Sequence, residues 1–92
     1  MRRWLRRNGM RVKAKVTKIE TVEPKEAFKS VRYQILSEWV NPEITLTQFF
    51  ESDEIDDDPT DQVGEEIEVL VDPKDDERYL VDLSFLRDQR TE

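Results

Sequence analysis

Apolar and polar residues alternate along much of this chain with a period of two, the spacing that puts successive side chains on opposite faces of a β-strand. Val12, Ala14 and Val16 alternate with Lys13, Lys15 and Thr17, and the run goes on through Ile19 and Val22 with a slip of register. Val31, Tyr33 and Ile35 alternate with Arg32 and Gln34, and that stretch continues through Trp39 and Val40. Ile44, Leu46 and Phe50 follow, interleaved with Thr45 and Thr47, which favour a pleated surface. Ile67, Val69 and Val71 alternate with Glu66, Glu68 and Leu70, and Tyr79, Val81, Leu83 and Phe85 close the series. The pattern predicts five strands. No segment sustains a 3.6-residue period; only Met1 to Arg7 and the end after Ser84 have room for a helical turn or two.

The connections sort these strands into hairpins. Asn41-Pro42 is a turn pair, because the residue before a proline is pushed out of the helical region, and its shortness predicts a hairpin of strands two and three. Asp72-Pro73-Lys74-Asp75 suits a turn with proline at its second position and predicts a second hairpin, of strands four and five. Residues 51–66 read as an exposed acidic loop containing Asp58-Pro59 and Gly64. Half-apolar antiparallel strands bury one face and leave the other wet, and curling limits their exposed edges. The expected fold is all-β: a five-stranded, mainly antiparallel small barrel or strongly curled meander, with a short terminal helix. A basic arm (1–8) precedes a single β domain (9–86), and a tail (87–92) follows. Tyr33, Ile35, Trp39, Val69, Val71 and Val81 are the expected core.

Composition narrows the chemistry. At 92 residues the chain is one domain with a thin core. It has no cysteine and no histidine, so disulfides, thiolate catalysis, Ser-His-Asp and Cys-His arrangements and the usual zinc ligands are all absent. No apolar run exceeds three residues, which predicts no membrane-spanning helix and no signal peptide within these residues. A cytoplasmic placement is expected, with the inner face of a membrane as the alternative. The net charge of −7 hides an asymmetry: residues 1–18 hold eight basic side chains and no acid. From Glu51 to Glu77, 14 acids face only Lys74.

The order Gly9, Val12-x-Ala14-x-Val16, Tyr33, then Gly64-x-x-Ile67-x-Val69-x-Val71-Asp72-Pro73, ending near Tyr79, resembles the DUF3592 family of small bacterial β domains of unknown function. The likeness spans roughly residues 9–86. Val71 stands where the family usually has tyrosine, and Asp75-Asp76 where it prefers Asn-Pro. The resemblance implies a β domain, attached in many members to membrane-spanning helices, and it supplies no catalytic residues.

Two constellations are candidates for contact. Arg2, Arg3, Trp4, Arg6 and Arg7 could meet an anionic surface, the arginines through charge and the tryptophan at the interface. Nucleic acid is disfavoured by the overall acidity. Phe49 and Phe50 are a candidate partner patch: adjacent strand residues face opposite sides, so one of them points outward, sits in a bulge or lies under the acidic loop. The acids from Asp53 to Asp61 lack the spacing of a calcium loop and its central glycine. No catalytic residue, metal, cofactor or small-molecule ligand is expected. The sequence reads as a non-enzymatic β domain serving protein interaction or structure, with an unidentified partner or a second copy. The alternative is a peripheral membrane domain held by residues 1–7. Because exposed ion pairs are weak and screened, the basic start is expected to be loosely held.

Overall fold

The computed structural model of the protein describes residues 2–24 and 31–86. The chain runs α1 (Arg2–Asn8), β1 (Met10–Val22), β2 (Arg32–Asn41), β3 (Leu46–Glu51), β4 (Glu66–Asp72) and β5 (Asp75–Val81). The five strands make one antiparallel sheet, ordered β3-β2-β1-β4-β5 and curled into a half-barrel. Both expected hairpins are present. Phe28 and the tail 87–92 lie outside the described residues.

β1 is the axis of the sheet. Its first half, Met10 to Lys15, pairs with β4, and its second half, Lys15 to Val22, pairs with β2. Just inside the β2-paired half lies a register shift at Val16/Lys18, which leaves Thr17 as the extra residue. An inserted residue bends its strand and raises the local twist, so the slip in the alternation is the corner of the half-barrel. After it, Ile19 faces inward again beside Ile35, its partner in β2.

Val12, Ala14, Ile35, Phe50, Ile67, Val69, Val71, Val81, Leu83 and Leu86 form the core. Four of the six expected core residues are among them. Trp39 and Tyr33 are only half-buried. Both point inward but lie toward opposite ends of β2, where a half-closed sheet gives incomplete cover.

The acidic segment is not a simple exposed loop. Its carboxylates face water, but Ser52 and Pro59 are buried and Ile55 and Val63 pack on the core. Ser52 and Ile55 extend the pairing along β2: Ser52 N–H donates to Ile35 O (3.0 Å), and Tyr33 and Ile55 exchange backbone bonds of 2.9 and 2.8 Å. Ser52 Oγ also accepts from Ile35 N–H (2.9 Å). The segment closes one end of the half-barrel with its few apolar residues and keeps its charges outside.

The start of the chain differs from expectation more sharply. α1 is docked, not loose: Leu5 is fully buried against Leu70 and Leu80 on the outer face of β4–β5. Leu70, which occupies a polar-phase position of its strand, thereby acquires a cover. Burying one leucine contributes about 1.5–3 kcal/mol, more than any single exposed ion pair. Gly9 makes the junction; its N–H donates to Leu5 O at 2.8 Å. A Cβ at Gly9 would stand 2.6 Å from Leu5 O and 3.3 Å from Leu70 Cβ, so helix and strand can meet this closely only at glycine.

Val69→Ala should destabilise the fold by about 2 kcal/mol through the cavity it leaves, read as a lower thermal midpoint. An unmoved midpoint would contradict the inward phase of β4. Gly9→Ala should undock α1 while leaving the half-barrel folded. Faster amide exchange in residues 3–9, with the β1–β4 amides still protected, is the expected result.

Candidate functional site

The basic pole of the sequence does not survive as one surface. Arg11, Lys13 and Lys15 leave the outer face of β1, and acids of both neighbouring strands lie across from them. Arg11 is bonded to Glu68 and reaches Asp82 at 3.2 Å. Lys13 is in register with Glu68, and Lys15 with Glu66 on one side and Glu38 on the other. Lys18 reaches Glu20 at 3.3 Å. Much of the charge separation along the chain is thus cancelled across the sheet.

What remains exposed at the start is Arg3, Trp4, Arg6 and Arg7 on α1. The side chain of Arg2 lies outside the described residues. Trp4 keeps 42% of its surface in water and carries the Arg78 guanidinium 5.5 Å from its ring centroid, so a cation already occupies one face of the indole. Arg6 and Arg7 sit in the last turn of the helix, where the backbone dipole favours positive charge.

A shallow groove of about 350 Å³ runs between the start of β4 and the turn after β5, with Glu66, Glu68, Asp82 and Phe85 among its lining residues. Burial raises the pKa of Asp82, but the Ser84 backbone and side chain, with Arg11, outweigh it and hold the carboxyl below its ordinary range. Arg11 is raised in turn, first by its hydrogen bond to Glu68 and then by Asp82. Asp58, in the acidic segment, is lowered by the Thr60 hydroxyl and backbone N–H. Each of these carboxylates has a local partner that explains its ionisation. Among the described residues no three acidic side chains are arranged to hold a metal ion.

The β2–β3 hairpin is different. Phe50 is 1% exposed, its ring edge-on to Tyr79 with centroids 4.8 Å apart, and is core rather than contact surface. That corrects half of the expected patch, since the alternation allows only one of two adjacent residues to face out. Phe49 is the outward one, 72% exposed. It stands across from Glu38, while Val40 pairs with Thr47 two positions on along the same face. Ile44 and Leu46 are also exposed at the tip, where strand three was expected to be already inward. Ile44 belongs instead to the turn, and Leu46, though inward in phase, lies past the end of the core. Of the seven large apolar residues left exposed among the described residues, four sit in this hairpin. Sequence reasoning missed Val40, although it is out of phase with Ile35 and Trp39 and therefore outward.

The turn holds that tip firmly. Asn41 Oδ1 accepts from Glu43 N–H (2.9 Å), and Asn41 O accepts from Thr45 N–H (2.7 Å). Thr45 has φ of 55°, a left-handed conformation unfavourable for a β-branched residue by about 1–2 kcal/mol.

β3 is also an edge strand. Ser52 N–H points to β2, whereas Glu51 N–H points away and donates to the Tyr79 hydroxyl at 3.0 Å. Backbone groups alternate in direction along a strand, so Thr47 and Phe49 also turn their N–H and C=O away from β2. Neither residue's amide has a partner among the described residues.

No family model, curated protein or solved structure matches the chain. No helix among the described residues is long and apolar enough to cross a membrane.

A carboxyl whose pKa is lowered by folding stabilises the native state when ionised; that contribution is present above the unfolded value near 4 and fades as the pH falls below it. Stability should therefore decline below about pH 4, and Asp82→Asn should flatten the decline by removing one of the responsible groups. Denaturant midpoints between pH 2 and 7 measure this; an unchanged slope in the variant would assign the acid sensitivity to other carboxyls.

Proposed function

We propose that this chain is a non-enzymatic protein-interaction module whose contact surface is the β2–β3 hairpin. The observation that carries the reading is the clustering of Val40 and Phe49 on the outer face of one hairpin, with Ile44 exposed at its tip and Leu46 exposed on the opposite face. Scattered single apolar side chains are ordinary on a protein surface, whereas a contiguous group on a stiff element usually meets a partner. Two polar clusters are satisfied internally: Arg11 by Glu68 and Asp82, Arg32 by Glu54 and Asp56.

The residues that carry the likeness to DUF3592 have structural tasks, so the likeness adds no catalytic site to this reading. Gly9 permits the close approach of α1, and Asp72 accepts the Lys74 N–H at 2.9 Å in the turn between β4 and β5. Val69 and Val71 fill the core. None of these forms a site.

A peripheral membrane role is the second reading, favoured by the exposure of Arg3, Arg6, Arg7 and part of Trp4 on one docked helix. One comparison separates the two. The double variant Val40→Ser/Phe49→Ser changes only exposed side chains and should keep the thermal midpoint while losing a partner captured from native lysate. Charge reversal at Arg3, Arg6 and Arg7 should leave that capture intact. Salt-sensitive co-sedimentation with anionic vesicles, lost on reversal of the three arginines while the serine variant behaves as wild type, would transfer the function to α1.

A further inference from the structure

We infer that the free edge of β3 receives an extended basic segment of a partner protein by β-strand addition; this rests on the hairpin being the contact surface. Three observations converge on it. Thr47 and Phe49 offer outward N–H and C=O groups, a ladder of the kind that an added strand completes. Their side chains are exposed on the outer face, where Phe49 offers an apolar contact to alternate residues of that strand.

The third observation is charge. Between Arg32 and Lys74 the chain has no basic residue. Among the described residues the turn and free edge of β3 therefore carry acids only: Glu43 in the turn and Glu51 at the strand end, with Glu38, which Lys15 also faces, across from Phe49. The lysines of β1 lie beyond β2 and face their own acids. A strand carrying lysine or arginine between apolar residues complements this edge. A second copy, pairing β3 with β3, would bring two acidic edges together and is repelled.

The edge also lacks what keeps such strands unpaired. Natural edge strands are blunted by lysine, proline or a bulge; Leu46 to Glu51 contains neither residue and is paired with β2 in unbroken register. The one closed position is Glu51, whose amide the Tyr79 hydroxyl occupies. This caps the ladder on the β5 side and leaves the positions from Thr47 to Phe49 open.

The test uses the full chain with two peptides, one alternating lysine with valine and one alternating glutamate with valine, titrated at low and at physiological salt. Binding of the lysine peptide should slow exchange at the Thr47 and Phe49 amides, and the glutamate peptide should bind about tenfold or more weakly. Thr47→Pro removes one outward N–H without breaking a β2 bond and should reduce binding by a similar factor. Phe49→Lys should abolish it, and both variants should keep the wild-type thermal midpoint. Binding without protection of those two amides, equal binding of both peptides, or a concentration-dependent dimer protecting the same amides would each overturn the inference. In those cases a lysate partner still lost in the serine variant would leave the hairpin as the contact surface and remove only strand addition. Retention of that partner by the serine variant would remove the surface itself.

Discussion

Everything in this molecule depends on one long strand that serves two partners in succession. β1 gives its first half to β4 and its second half to β2, and the extra residue at Thr17 turns the strand just after it takes up β2. Without that corner the apolar faces of the two hairpins would not converge on one core. With it, Val12 and Ala14 from the first half and Ile19 from the second point to the same interior. A thin core in a 92-residue chain leaves little margin, so the accuracy of this bend matters more here than in a larger domain.

The same strand settles the electrostatics. Its outward residues are basic, and the strands on either side bring acids opposite them, with Lys15 placed between Glu38 and Glu66. Charges that are far apart in sequence become neighbours in the sheet, where opposite-charge pairs contribute modestly to pairing. The chain is thus less polarised in space than in sequence. The helix at the start is held by leucine packing and a glycine junction, with its arginines left outside.

The surfaces then differ in how completely they are satisfied. Outer β4–β5 has a cover in α1, and one end of the half-barrel has a cover in the acidic segment, through Ile55, Pro59 and Val63. Among the described residues the outer side of β2–β3 has neither: apolar side chains and outward edge amides coincide there, beside Glu43 and Glu51. The adjoining turn is tied by hydrogen bonds to Asn41, which hold Thr45 in its left-handed conformation. These are the properties on which the proposed contact surface rests.

The strands, the two hairpins, the slip of register in β1 and the absence of histidine and cysteine chemistry were all legible in the sequence, because each depends on local spacing or composition. Alternation also required that Phe49 and Phe50 face opposite ways. Which of the two is buried was decided by β5, whose Tyr79 packs on Phe50. Leu70 could not be recognised as buried from its own strand, since its cover comes from Leu5, 65 positions away in the sequence. Nor could the exposure of Ile44 and Leu46 be read locally, because an inward phase says which way a side chain points and not whether anything stands opposite. Direction is a property of the strand and follows from sequence. Cover is a property of the neighbours, and only the tertiary structure supplies it.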